Sequence, residues 1–366
     1  MLVNAADGAY SVSQQPAPLV VGGARRSRIV GGWLLLCSVF VFAMVIVGGL
    51  TRLTESGLSM VDWAPITGVL PPTNDAEWQA LFTRYQASPE YQKVNQHLDL
   101  EGFKGIFWLE YIHRVLGRVT GMVVLVPLLV FAARRWLSRR LVLRVVGLFA
   151  LGGLQGALGW FMVKSGLVDV PRVSPYRLAA HLSLALALYG AVLWSAWDLL
   201  LGRAPAAFVP RGARRLLGAT TAAAGLTVVW GAFVAGLDAG LVYNTWPLMG
   251  DGLVPSGMAS LSPGWANAFE NMVTVQFVHR TLAYLTVAAS LVSGIWGWRR
   301  ARGGQLRWLF GLLPVVALLQ MSLGIATLLT QVRIEVASLH QAVGVLLLSV
   351  ILLLWHRLRG ASAASG

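Results

Sequence analysis

The chain has 366 residues, of which 56% are hydrophobic and only 12% charged, with a formal net charge of +14. Soluble domains carry about 25% charged residues, so this balance excludes an ordinary soluble protein. The single cysteine, Cys37, excludes an intrachain disulfide and any zinc or iron–sulfur centre built on cysteines.

Residues 1–27 read as a disordered tail, too short and too poor in arginine for an organellar targeting peptide. Apolar runs long enough to cross about 30 Å of hydrocarbon follow at 29–50, 107–133, 145–163, 178–197, 216–237, 272–298, 308–330 and 336–355. The first is too long for a signal peptide, and no small-residue cleavage site follows it; Thr51 and Arg52 are expected to lead into a loop. The two long loops, 51–106 and 238–271, fall on the same side. Within the first, NDAEWQALFTRYQASPEYQKV predicts helix, with Asn74 as N-cap and Glu77 three residues on. Trp78, Leu81, Phe82 and Tyr85 then share an apolar face, which suits a membrane surface and is read here as a lid over the bundle.

Eighteen of the 29 basic residues lie in the segments opposite the long loops, with only Asp7 and Asp198 for company. Positive charge accumulates on the cytoplasmic side, so both termini are expected there. The basic character is thus a topology signal, and nucleic acid is not an expected partner.

The two halves of the chain echo each other. VGGLTRLTESGLSMVDWAP answers to VAGLDAGLVYNTWP, YIHRVLGR to FVHRTLAY, LQGALGWF to LQMSLGIA, and AAHLSLAL to SLHQAVGV. The expected fold is an all-α integral membrane protein whose eight transmembrane helices form a tandem parallel repeat of two four-helix bundles. The N-terminal half would occupy 28–201, with its long outer loop at 51–106. A cytoplasmic linker at 202–215 would lead to the C-terminal half at 216–357 and a tail at 358–366.

Four of the six histidines occupy matched places. His113, His181, His279 and His340 each lie about six residues into a span running inward, roughly 9 Å below the outer boundary at 1.5 Å per residue. One such histidine alone is readily a hydrogen-bonded structural residue. Two pairs at one depth match the way facing helices hold a haem iron from both axial sides. Gly117, Ala283 and Gly344, each four residues after a histidine, leave room for a flat ring. A copper or zinc site would instead need three or four ligands on one ion. His97 and His356 have no counterparts and are expected to face solvent.

Arg114 and Arg280 follow their histidines in both copies and suit carboxylates such as haem propionates, or alternatively loop acids or headgroups. Three residues before the histidine, the copies differ: Glu110 stands before His113 and Gln276 before His279. Positions three apart share a helix face, so Glu110 should point toward the site of His113. A carboxylate there can trade protons, which an amide cannot. The plainer alternative is that Glu110 only pairs with Arg114.

These stretches resemble the haem A synthase family, in its proteobacterial and mitochondrial branch. GGLTRLTESGLSMVDWAPITGVLPP is the most specific, supported by EYIHRVLGR, YNTWPLMGDGLVP, QFVHRTLAY and SLHQAVGV, and the likeness runs from about residue 47 to 355. The resemblance implies oxidation of the C8 methyl of haem O to the formyl group of haem A by successive hydroxylations, serving terminal oxidases. It implies that His279 and His340 ligate a resident haem b. His113 and His181 would face the substrate haem O, and Glu110 would be the carboxylate needed for turnover. It implies a bacterial inner membrane location with the haem sites toward the periplasm, an electron acceptor, and contact with the farnesyl transferase that makes haem O. Self-association stays open. Another branch of the family carries cysteine pairs in its outer loops; this chain has none there. The rival readings are a di-haem b-type cytochrome for electron transfer and, from the parallel repeats and Gly152-Gly153, a transporter.

Overall fold

The computed structural model describes residues 18–62, 70–168, 171–202, 211–301 and 304–359. Expectations for the N-terminal tail before residue 18, for WAPITGV at 63–69, for most of the linker and for the end of the C-terminal tail fall outside these residues. The helices are α1 (Ala24–Leu53), α2 (Asp75–Gln86), α3 (Pro89–Lys93), α4 (Leu100–Ala133), α5 (Arg139–Lys164), α6 (Pro175–Leu200), α7 (Arg211–Gly236), α8 (Asn267–Glu270), α9 (Met272–Arg300), α10 (Gly304–Leu329) and α11 (Ile334–Leu358). Eight of them, all but α2, α3 and α8, are long and apolar enough to cross a membrane.

Two boundaries differ from expectation. Helix α1 runs on through Thr51 and Arg52 to Leu53, where the sequence suggested a loop. Helix α4 starts at Leu100, two turns before the apolar run, because Asp99 caps it by accepting from the Gly102 amide at 2.8 Å. Glu101 and Lys104 hide those turns from a hydropathy reading, yet Phe103 and Phe107 on them are buried.

Helices within a bilayer gain nothing from excluding lipid tails, so they associate through close packing and interhelical hydrogen bonds. Helix α1 packs on α4 and α6, and α5 closes against α4 and α6; α7 and α10 pack on α9, and α11 on α10. Contacts of α6 with α7 and of α1 and α6 with α11 join the two sets. Polar pairs stitch them: Thr227 to Thr286 at 2.8 Å between α7 and α9, and Tyr189 to Ser349 at 2.8 Å between α6 and α11. Gly297 and Gly294 let Phe310 and Pro314 of α10 press directly onto α9, since a Cβ at either would overlap them. Pro127 inside α4 has no N–H for the carbonyl of Val123, and Trp33 of α1 donates its indole N–H there at 2.7 Å. A backbone group freed by proline within a membrane needs such a substitute.

The first long loop folds back on the bundle. Asn74 caps α2 by accepting from the Glu77 amide at 2.9 Å, while Glu77 reaches back to the Thr73 amide at 2.7 Å. Trp78, Phe82 and Tyr85 bury against Phe103 and Phe107, with Leu81 packed alongside. The apolar face of α2 therefore meets the extra turns of α4, as a lid would.

Candidate active site

The spans enclose a cavity of about 1960 Å³, roughly twice the upper end of an ordinary small-molecule site. His113, His181, His279 and His340 all line it, as do Gly117, Ala283 and Gly344. His113 is close enough to His181, and His279 to His340, for each pair of rings to interact electrostatically. The two pairs open on one continuous space rather than on two closed compartments.

Each ring rests against a glycine of the preceding span. A Cβ at Gly48 would lie 3.2 Å from the His113 ring, at Gly159 2.9 Å from His181, at Gly231 3.0 Å from His279, and at Gly324 2.9 Å from His340. An alanine at Gly159 or Gly324 would force its histidine to shift, and one at Gly48 or Gly231 would require the ring to give by a few tenths of an ångström.

The two pairs are held differently. His279 Nδ1 lies 3.1 Å from the Thr227 carbonyl and His340 Nδ1 3.2 Å from the Gln320 carbonyl. A carbonyl only accepts, so both Nδ1 atoms carry the proton and each Nε2 keeps the lone pair a metal would use, the arrangement usual for ligating histidines; that of His340 also meets the Gln320 side-chain amide at 3.5 Å. In the N-terminal half, the His113 ring makes no hydrogen bond among the described residues. His181 faces the Gln155 amide nitrogen, 3.1 Å from Nδ1 and 3.2 Å from Nε2, which also donates to the His181 carbonyl at 2.9 Å. No carbonyl fixes the tautomer of either ring.

Glu110 is 4% exposed and lies on the cavity wall. Its Oε1 accepts from Arg114 Nη2 at 2.6 Å and Nε at 3.1 Å; its Oε2 accepts from the Ser59 hydroxyl at 2.7 Å and the Met60 amide at 2.8 Å. Both expectations for Glu110 therefore describe it: it shares the cavity with His113, and it pairs with Arg114. The other donors of Arg114 go to the carbonyls of Met60 and Asp62, each at 2.9 Å.

The matching residues of the C-terminal half contact carbonyls instead. Gln276 donates to Tyr243 at 3.1 Å, and Arg280 to Tyr243 at 2.7 Å and Thr245 at 3.0 Å. Arg280 is buried on the cavity wall and pairs with no carboxylate among the described residues, so its positive charge stands uncompensated. Of the two arginines, Arg280 is the one without a carboxylate partner among the described residues, and its buried Nε has no acceptor there.

His97 is exposed, as expected. His356 is not: it is 1% exposed, and its Nε2 lies 3.2 Å from Asp198 between the rings of Trp194 and Trp197. A histidine at a basic helix end reads as solvent-facing, but the packing of α6 against α11 closes over it. Sequence reasoning also passed over the four glycines, Thr227 and the Ser59–Met60 clamp. Gln155 and Gln320 carried a signal, the Gln-x-x-x-Gly spacing repeated in spans three and seven, but not its meaning: both contact the histidine of the next span.

A family model described as cytochrome oxidase assembly protein matches residues 31–352 of the chain. The chain belongs to that family. Within this cytochrome oxidase assembly family, it is 48% identical to the heme A synthase of Granulibacter bethesdensis over 339 residues, covering 92% of the chain and 89% of that protein. It is 46% identical to the heme A synthase of Rhodospirillum centenum over 351 residues, 95% of the chain and 93% of that protein. The heme A synthase of Paramagnetospirillum magneticum is 47% identical over 347 residues, 93% of the chain and 96% of that protein. The family match runs from α1 into α11 and so takes in both histidine pairs, Glu110 and Arg280.

Proposed function

We propose that this member of the family is a haem A synthase: a multi-pass membrane oxidoreductase that converts haem O to haem A by oxidising a ring methyl to a formyl group. The observation that carries the division of labour is the unequal anchoring of the two histidine pairs. His279 and His340, with their tautomers fixed by Thr227 and Gln320, suit a permanently held haem b. The fit is supported by the donor set, two imidazoles protonated on Nδ1 so that Nε2 carries the lone pair, and by the guanidinium of Arg280, which has no carboxylate partner among the described residues and suits a propionate. Bound there, a haem b supplies one-electron redox chemistry.

His113 and His181, without such anchors, suit a substrate that must arrive and leave. The haem O ring enters the N-terminal part of the cavity, where Glu110 stands beside it. Ser59, Met60 and Arg114 hold that carboxylate in one orientation, so it needs no reorganisation as positive charge or protons develop on the substrate methyl. Arg114, engaged by Glu110 and two carbonyls, positions the carboxylate and is not a propionate clamp.

The basic loop segments around α5, α7 and α10 support an arrangement with both termini in the cytoplasm and the histidines toward the outer face of a bacterial inner membrane. Hand-over of haem O from its farnesyl transferase, and an electron acceptor reached through the C-terminal half, belong to this reading.

The test is a pair of variants in a strain that supplies haem O. Glu110→Gln is expected to keep the resident haem spectrum and lower conversion at least about 100-fold, the low end for loss of a preorganised electrostatic group. His279→Ala is expected to abolish the resident haem signal. Undiminished haem A from Glu110→Gln discards its role, and a full haem signal in His279→Ala discards the division between halves. A chain that purifies with two permanent haems and makes no haem A is the di-haem cytochrome instead.

A further inference from the structure

Glu110 is engaged on both oxygens, so the protons leaving the substrate need a second group. Conversion of a methyl to a formyl group, R–CH3 + H2O → R–CHO + 4 H+ + 4 e−, releases them whatever takes the electrons. The electrons go to the acceptor that the enzymatic activity already requires.

One other buried carboxyl lines the same cavity. Glu90, on α3 of the first long loop, is 4% exposed. It has no basic partner among the described residues, and its only hydrogen-bond donor is the Tyr85 hydroxyl, 3.0 Å from Oε2. The Tyr85 oxygen in turn accepts from the side chain of Asn95 at 2.8 Å, in a stretch whose neighbours Gln96 and His97 are exposed. Asn95 can only donate to Tyr85, and Tyr85 donates to Glu90, so these two hold the carboxyl in place on the cavity wall.

We infer that Glu90 is the proton-exchange residue of the substrate half: its carboxylate takes a proton released at the substrate and returns it to solvent where the exposed Glu55 lines the same cavity. This rests on the proposed placement of haem O beside Glu110. A carboxyl that served only to anchor Tyr85 would be an expensive choice, because burying it without a counterion costs more than burying a glutamine that accepts the same bond. The groups facing Glu90 are Tyr85 on α2, Glu110 on α4 and Glu55 in the turn after α1. Burial first, then repulsion from Glu110 and Glu55, outweigh the Tyr85 hydrogen bond and push the Glu90 carboxyl up to about 7. An acid balanced there gives and takes protons at neutral pH. To accept one it must first be ionised, so turnover should fall as the pH drops through about 7.

The experiment follows haem O conversion against pH, in membranes, for the unaltered protein, Glu90→Gln and Tyr85→Phe. Glutamine still accepts from Tyr85, so Glu90→Gln should keep its haem spectrum. Its rate should drop on the order of tenfold and lose the rise between pH 6 and 8. Tyr85→Phe removes the one donor that favours the carboxylate, so its half-maximal rate should move to higher pH. An unchanged rate and profile in Glu90→Gln overturn the inference, as does a lower rate with the profile intact, which marks a structural role. If Glu90→Gln loses its haem, an unshifted Tyr85→Phe profile overturns it. Failure of the unaltered protein to convert haem O would instead sink the proposed function.

Discussion

At the scale of single residues, the site is set by what the histidines lean on. Gly324 leaves just enough room for His340, whose Nδ1 then reaches the Gln320 carbonyl one turn away on the same helix. Gly324→Ala would place a Cβ 2.9 Å from the ring. Either the imidazole turns and loses its carbonyl, or α10 and α11 separate. The expected outcome is a folded protein with less than about half its resident haem, read by haemochrome spectra per mole of protein. Overpacking of this kind typically costs about 1–3 kcal/mol, enough to shift occupancy several-fold without unfolding the chain. The Glu110 and Gln276 pair teaches a related lesson. Each is met by backbone of its own long loop, but Glu110 by an amide hydrogen and Gln276 by a carbonyl oxygen. The side chain and the loop conformation match each other, and only the side chain is visible in the sequence.

At the scale of elements, the first long loop is more than a connection. Helix α2 is anchored by its N-cap and by aromatic rings stacked on α4, where Tyr85 and Phe103 lie with centroids 5.0 Å apart. It thereby carries Tyr85 to Glu90 at the cavity wall. Asn74→Ala removes the cap and should cost about 1 kcal/mol of local stability. Limited proteolysis of the loop around residues 74–86 should then quicken roughly fivefold, while the haem spectrum stays unchanged; equal cleavage rates would mean that the cap is not what holds the lid. The spans themselves were legible, all eight, because about 20 apolar residues in a row leave few alternatives. The first turns of α4 were not, since Glu101 and Lys104 make them look like loop and the aromatic partners that bury Phe103 lie on another helix.

At the scale of the whole molecule, two four-span sets are tied at both ends. At one end, Arg52 of α1 meets Asp238 beyond α7 at 2.6 Å, and Arg172 approaches the same carboxylate at 3.7 Å. At the other end, Asp198 of α6 gathers Arg144 of α5 at 2.9 Å, His356 of α11 at 3.2 Å, and Arg359. In between, Gln341, next to His340, donates to the Val45 carbonyl of α1 at 2.8 Å, and Gly49 makes that approach possible, since a Cβ there would overlap the Gln341 amide. Asp198→Ala strands a buried histidine and two arginines at once. Breaking such a group costs on the order of 3 kcal/mol. The detergent-solubilised protein should melt several degrees lower, with the resident haem lost at that same lower temperature. A melting point equal to that of the unaltered protein would show that the α6–α11 seam is held by packing alone.

The sequence alone determined the class of the molecule, its eight spans, and the four histidines with their neighbouring arginines. Those features depend on composition and on spacing along one helix, which a linear chain displays directly. Only the tertiary structure decided that both pairs open on one cavity, that the two pairs are anchored unequally, that His356 is buried, and that Glu90 reaches the site from the first long loop. Each of these depends on which backbone carbonyl, glycine or carboxylate a neighbouring helix brings within about 3 Å, and hydrogen-bond range is too short for a sequence pattern to resolve.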